Sequence, residues 1–429
     1  MRAELSDLIA TERAESLDRV SLMVLVGVGG LLLTRTLLAA NAAFEADEFD
    51  AYARGVELLA DPAHRLGHPH RLLASLVFAV GPLFGPHDAV VGMVLNRVIA
   101  VGASVAIYLA VLRIGGRTFG TLAGVHALVG LGMVYVFIDH SFTARADFLW
   151  LTLATGALAL LLERRAPWIV LAGVALGLAY FVSLKAVLMI GAVGLGVVAT
   201  VIVDRRRGLR DVLLLAGGFV AVQGTYLVLR AVLHDPTGAG ALDQTVSRVQ
   251  TLAGADTGVG HAQFYWAALR LNPLFGGVAA TGLALGWAGV WRWRGEGGRK
   301  RDVLLVLAAT TAYLPAMLVY PHPWPYFLAT AAPGLALAWG LLTGAVHRQL
   351  RIGGTAPLWA GAVVVLVVMG LLRPADRVRR NLEMDNGYQV AVMDRLAEVL
   401  GPGDTYFDGV GIAPNLPRTT HDWLDVVTL

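Results

Sequence analysis

The stretch Asn41–Arg71, NAAFEADEFDAYARGVELLADPAHRLGHPHR, sets Glu45, Asp47, Glu48 and Asp50 directly behind an apolar run long enough to cross a bilayer. Carboxylates are costly beside hydrocarbon, at about 2.5–3.5 kcal/mol each at a bilayer centre on insertion scales. Acids retained at that border suit the removal of a proton from a hydroxyl nucleophile. Asp47 and Glu48 are adjacent, so on a helix they point about 100° apart and only one can face a given substrate. The plainer account is a helix N-terminus, where an acid gains about 0.3–1 kcal/mol from the helix dipole. Against it stand the cations found elsewhere in the chain. Arg145 and Asp147 open an apolar stretch in SFTARADFLWLTLATGAL, Lys185 sits between two apolar runs in GLAYFVSLKAVLMI, and His322 lies among prolines in YPHPWPYFLATAAPGLAL. Each has an ordinary explanation: a local salt bridge or cap, a lysine snorkelling to the interface, a rigid turn. Together they offer carboxylates to activate a hydroxyl and cations to hold an anionic leaving group.

The elements that must position these groups are membrane helices. The chain is 56% hydrophobic and 15% charged, its net charge is only +3 and its mean hydropathy is +0.65, which excludes an ordinary soluble domain. No basic face suited to nucleic acid is present, and the absence of Cys excludes disulfides and thiolate metal sites. Met1–Val20 is too polar for a secretory signal, so the first span is expected to remain as an anchor. Length and hydropathy predict about eleven spans: Val20–Ala40, Asp88–Arg113, Thr118–Ile138, Asp147–Leu162, Trp168–Leu184, Val187–Val203, Asp211–Leu233, Leu274–Val290, Val303–Tyr320, Tyr326–Val346 and Leu358–Leu372.

Every second turn is Arg-rich: Arg113 and Arg117; Arg164 and Arg165; Arg205, Arg206, Arg207 and Arg210; Arg292 through Arg301; Arg348 and Arg351. The positive-inside rule puts these turns and the N-terminus in the cytoplasm. Asn41–His87, Asp139–Ala146, Lys185, His234–Asn272, Pro321–Pro325 and the tail after Arg373 then face outward. The periodicity predicts interfacial helices at Glu48–Ala60 and Leu72–Phe84. The tail is expected to hold a helix at Gln389–Leu400, a turn at Gly401–Asp404 and a short strand at Thr405–Phe407. The expected organisation is thus an all-α polytopic membrane unit over residues 1–373 and a short extracytoplasmic tail over 374–429.

The ordered set of motifs resembles the GT-C class of glycosyltransferases that use polyprenyl-phosphate sugars, in particular bacterial relatives of protein O-mannosyltransferases and lipid A aminoarabinose transferases. The motifs run Asp47–Glu48 with Asp50 and Tyr52, His68–Pro69, Ala144–Arg145–Ala146–Asp147, Gly177–Leu178–Ala179 with Lys185, then Pro-Trp-Pro-Tyr and Pro333. They cover most of Ala40–Gly340. The resemblance implies Asp47 as catalytic base with Glu48 as its substitute. It implies Lys185, Arg145 and His322 at the donor phosphate, and Asp147, His68, His70 and Tyr52 in contact with substrate. The chain departs from the family in having Arg-Ala-Asp for Arg-Pro-Asp or Arg-Pro-Glu, His-Pro-His for Lys-Pro-Pro or His-Pro-Pro, and a shorter tail.

The implied reaction is a direct, inverting displacement at the outer face of a bacterial-type cytoplasmic membrane. The donor is a polyprenyl-phosphate sugar, the acceptor a hydroxyl on a lipid, glycan or protein, and the prenyl tail lies among membrane lipids. A nucleotide-sugar donor would need a phosphate-binding loop, and the inner turns contain none. No cofactor is assigned; His64, His68 and His70 with Asp61 have the spacing to hold a divalent ion that would assist the donor phosphate, and solvated histidines are the simpler reading. Two rival classes are a secondary transporter and a non-enzymatic assembly protein. A transporter would place ionisable groups near the midplane in paired halves, whereas here they sit at span ends.

Overall fold

The computed structural model describes residues 19–62, 71–85, 88–233, 273–293, 297–319, 327–352, 376 and 378–399. Fifteen helices lie among them: α1 (Arg19–Asn41), α2 (Ala46–Ala60), α3 (Leu72–Phe78), α4 (Val80–Phe84), α5 (Ala89–Phe119), α6 (Thr121–Met133), α7 (Tyr135–His140), α8 (Ala146–Leu161), α9 (Ala166–Val182), α10 (Ala186–Thr200), α11 (Arg205–Leu233), α12 (Pro273–Arg292), α13 (Gly297–Val319), α14 (Leu328–Ile352) and α15 (Gly387–Val399). Ten of the eleven predicted spans coincide with a helix; the eleventh, Leu358–Leu372, lies outside the described residues, as do the predicted turn and strand of the tail and the 373/374 domain boundary. By length and composition four helices can cross a membrane: Ala89–Phe119, Arg205–Val232, Pro273–Arg292 and Leu328–Gln349, with shorter apolar helices beside them.

Two predicted helices are broken. Leu72–Phe84 divides at Ala79 into α3 and α4, because Pro82 has no N–H to give the carbonyl of Phe78 and its ring crowds that carbonyl. Thr118–Ile138 divides at Val134, whose backbone is extended, so α7 leaves the line of α6 and carries Asp139 and His140 toward the α8 N-terminus. Gly120, at φ 104°, makes the reversal between α5 and α6 that a side chain would resist.

Helices pack at backbone distance where a glycine faces the neighbouring helix. A Cβ on Gly173 of α9 would lie 2.1 Å from the Leu215 carbonyl of α11, and one on Gly218 of α11 would lie 2.2 Å from the Val170 carbonyl. Without a hydrophobic force between helices in lipid, such close approach is what holds them together. Gly218→Val is therefore expected to lower the melting temperature of the detergent-solubilised protein by several degrees, whereas Gly217→Val, at a position with open space, leaves it unchanged.

The ends of the helices gather in two separate groups. In one, the Arg-rich turns meet each other. Arg113 and Arg117 pair with Glu163, Arg164 reaches Asp302 (Nε–Oδ1 3.0 Å) and the Gly298 carbonyl, and Arg301 pairs with the fully buried Asp211. In the other, the tail returns to the first loop. Gln389 of α15 accepts from Phe44 N (2.6 Å) and donates to Phe44 O (2.9 Å), Asn381 donates to Asp139 (2.7 Å), and Met393 packs with Phe44, Phe49, Tyr52 and Met93. This second group holds the acidic motif.

Candidate active site

The site is built on a buried staple. Helix α1 ends at Asn41, leaving carbonyls of its last turn without intrahelical donors. Arg97 of α5 meets that end: Nη1 donates to Ala39 O (3.3 Å) and Ala42 O (2.7 Å), and Nη2 to Ala43 O (2.7 Å). The guanidinium also lies 4.3 Å from the centre of the Phe44 ring. Its charge is balanced by Glu48, through Nε–Oε1 at 2.7 Å and Nη2–Oε2 at 2.6 Å, and both side chains are fully buried. Glu48 further accepts from Glu45 N, closing the capping box of α2, and from Ala144 N in the loop that starts α8. One carboxylate thus fastens the end of α1, the start of α2 and the approach to α8.

Fastening Ala144 positions its neighbour. Arg145, the N-cap residue of α8, pairs through Nη1 with Glu45 (2.9 Å) and through Nη2 with Asp47. His140 stands 3.3 Å from the same Glu45. Burial pushes the Glu45 carboxyl up, but the hydrogen bond and charge of His140, with Arg145 and Arg97, outweigh it and hold the group at about 2, below its usual 4.5. A carboxyl with a depressed native pKa stabilises the fold fully above 4.5, and the contribution is lost as pH falls toward 2. Glu45 is 35% exposed, so solvent screens part of it. The melting-temperature gap between wild type and Glu45→Gln at pH 5 is therefore expected to close as pH is lowered from 4.5 to 2. A gap independent of pH across that window would remove the assigned ionic pairing.

On the opposite wall Asp147, in the first turn of α8, accepts from Trp150 Nε1 (3.2 Å) and faces Lys185 Nζ at 3.4 Å. Lys185 stands between α9 and α10, with its ammonium 5.9 Å from the Phe327 ring centre. The third wall is α2 against α3: Asp50 Oδ2 accepts from Arg54 Nε (2.8 Å) and Arg71 Nη1 (2.7 Å). These walls enclose an open cleft of about 500 Å³, solvent-filled space included, lined by Asp47, Asp50, Arg54, Arg71, Arg145, Asp147, Ser183 and Lys185 among others. A second, largely apolar cleft of about 480 Å³ lies between α5, α8, α10, α13 and α14, against Thr155, Met189, Val193, Tyr313 and Leu337. Thr155 is roughly 12 Å further along α8 than Asp147 at 1.5 Å per residue.

The fold is ArnT-like. ArnT from Cupriavidus metallidurans bound to undecaprenyl phosphate is similar over 92% of this chain and 85% of its own, at 16% identity and a TM-score of 0.65; in its apo state the values are 14% and 0.62 over the same shares. The archaeal oligosaccharyltransferase AglB from Archaeoglobus fulgidus, in complex with an inhibitory peptide and a dolichol-phosphate, is similar at 13% identity and a TM-score of 0.52. That match covers 83% of this chain and 56% of AglB, so the chain spans little more than half of AglB's length. No family model and no curated protein matches the sequence. The structural likeness is to the group that the sequence motifs resemble.

Of the residues singled out in the sequence, Asp47, Arg145, Asp147 and Lys185 line one cleft. Glu48 and Tyr52 are not among its lining residues. Glu48 is sealed, with both oxygens engaged by Arg97, Glu45 N and Ala144 N, so it lacks the access a base needs. Tyr52 is fully buried, donates to Gly85 O (3.1 Å), and is pushed up to about 12 by burial and the nearby Asp88. His64, His68, His70 and His322 lie outside the described residues. Among the described residues no three His, Asp or Glu side chains are grouped to hold a metal ion. Arg97 has its own signal in the sequence, an arginine inside an apolar run, which by default demands a partner. Arg54 has another, its i+4 spacing from Asp50.

Proposed function

We propose that the chain is a glycosyltransferase that moves a sugar from a polyprenyl-phosphate donor to an acceptor hydroxyl, with inversion, at the outer face of the cytoplasmic membrane. The observation that carries this reading is the single cleft in which Asp47 and Lys185 occupy different walls. Asp47 takes the proton of the acceptor hydroxyl as its oxygen bonds to the anomeric carbon. The bond from that carbon to the phosphate oxygen breaks, and its electron pair leaves with the polyprenyl phosphate. Of the cleft's carboxylates Asp47 is the most open, 35% exposed against 11% for Asp147 and 5% for Asp50, which makes it the base, with inversion as the expected outcome. Arg145 is committed to Glu45 and Asp47, so its role here is to orient Asp47, and the ammonium of Lys185 neutralises the departing phosphate.

The tail fits the same arrangement. The apolar cleft is lined on α10 by Met189 and Val193, about one and two turns beyond Lys185, where the first isoprene units would leave water. The Arg-rich turns at the other group of ends support, under the positive-inside rule, a cytoplasmic position for that side and an outer one for the cleft. The likeness to ArnT, whose structure holds undecaprenyl phosphate, supports the donor class. The acceptor is a hydroxyl of a lipid, glycan or protein. Purified protein mixed with a polyprenyl-phosphate sugar and a membrane extract as acceptor source is expected to release polyprenyl phosphate. No release, together with solute-driven uptake into proteoliposomes, would establish a transporter instead.

A further inference from the structure

The arginines at the Arg-rich group of helix ends fall into two sets. Arg113 and Arg117 are engaged by Glu163, Arg164 by Asp302, and Arg301 by Asp211. At the starts of α9 and α11 the situation differs. The side chains of Arg165, Arg205 and Arg206 are exposed and make no hydrogen bond or ion pair among the described residues. Arg210 joins the two starts, donating through Nη2 to the Arg164 carbonyl (3.5 Å) and to Asp211 (3.0 Å). Cations in the first turn of a helix oppose its dipole, so the local fold does not account for Arg205 and Arg206 at the start of α11. The positive-inside rule orients such turns, but it does not require their arginines to stay unpaired side by side. Their surroundings are apolar. Of the four span-length helices α11 is the least buried. Arg206, Leu209 and Leu213 share one face of it at spacings of three and four residues, and Leu213 is 72% exposed. Ile202, just before α11, is 85% exposed, and Trp168 is exposed in the first turn of α9.

We propose that the starts of α9 and α11 form a docking surface for an anionic phospholipid. Arg165, Arg205 and Arg206 hold its phosphate, and its acyl chains run along the exposed face of α11. Charge complementarity selects this occupant: guanidinium forks match a phosphate in two-point contact, and basic residues beside a membrane attract acidic headgroups. The apolar residues select it over a soluble polyanion, which would meet the arginines and leave Ile202 and Leu213 uncovered. A tryptophan and bare aliphatic side chains next to free cations mark the level where headgroups give way to acyl chains. This surface belongs to the group of helix ends opposite the cleft, and it stands whether or not the chain transfers sugars.

The test is native mass spectrometry of the full-length protein released from micelles holding equal amounts of phosphatidylglycerol and phosphatidylcholine with matched chains. Wild type is expected to retain phosphatidylglycerol in preference by about tenfold or more. The triple variant Arg165→Gln, Arg205→Gln, Arg206→Gln is expected to lose that preference and to keep its phosphatidylcholine. Because these side chains make no polar contact within the described fold, the variant is expected to melt with wild type in lipid-free micelles. If it does not fold, Arg206→Gln alone is expected to lose part of the preference. Leu213→Ser is expected to weaken retention of both lipids alike. Equal retention of the two lipids by wild type overturns the proposal, as does a preference that survives in the folded variant. Displacement of phosphatidylglycerol by millimolar inorganic phosphate would assign the arginines to a soluble anion and overturn it too. So would an equal loss of preference in Arg395→Gln, an exposed arginine of α15 at the other group of ends, since that would mark a general charge effect.

Discussion

Asp47→Asn is expected to lower turnover by about 10²–10⁴-fold, the usual contribution of a positioned general base. The amide keeps the size and one acceptor oxygen of the carboxylate but cannot take up the acceptor's proton. Stability should be little affected, within about 0.5 kcal/mol. Asp47 is 35% exposed, and Arg145 keeps Glu45 as its counter-ion when the Asp47 charge is removed. The expected signature is therefore an unchanged melting curve with release of polyprenyl phosphate nearly abolished. Donor binding should survive, because Asp47 touches the acceptor side. An Asp47→Asn protein as active as wild type would remove the proposed base.

Arg97→Met is expected to have the opposite signature, a large loss of stability. Breaking a fully buried ion pair by deleting one partner costs about 3–5 kcal/mol, because the surviving charge is left in a medium that cannot solvate it. Here the survivor is Glu48, and the carbonyls at the end of α1 lose their donors as well. The double variant Arg97→Met with Glu48→Met should be more stable than Arg97→Met alone, since it leaves no isolated carboxylate. Thermal unfolding in detergent reads both. If Arg97→Met melts with wild type, or if the double variant is the less stable, the pair is not the staple described above. Glu48→Gln, by the same logic, should lose activity through misplacement of Ala144 and Arg145 rather than through loss of a base, in step with its loss of folded protein.

Much of this architecture was legible in the sequence because lipid imposes a strong code. Apolar runs of a fixed minimum length located ten described helices, and the alternation of Arg-rich turns sorted their ends into the two groups that the structure brings together. The cleft was legible as a list of members on one side, since Asp47, Arg145, Asp147 and Lys185 all fall at helix ends of the same group. Their pairing was not. Arg145 and Asp147 look like each other's partner in the sequence, yet the turn into α8 aims Arg145 at α2 and Asp147 at Lys185. Nor could adjacency separate the roles of Asp47 and Glu48. That separation depends on Arg97, 49 residues from Glu48 along the chain, reaching one carboxylate and leaving the other in the cleft. Tyr52 is set apart from the cleft by a similar long-range contact. It shares the α2 motif with Asp47, but it falls on the face that packs against α5, where Gly92 makes room for its ring.

The most direct measurement is the position of a polyprenyl-phosphate sugar bound to the Asp47→Asn protein, determined by cryo-electron microscopy in a lipid nanodisc. The account predicts the anomeric carbon facing position 47, the phosphate within reach of Lys185, and the prenyl chain descending beside Met189 and Tyr313. A donor bound at the opposite group of helix ends, among Arg113, Glu163 and Arg164, or one whose sugar lies beyond the reach of residue 47, would contradict it.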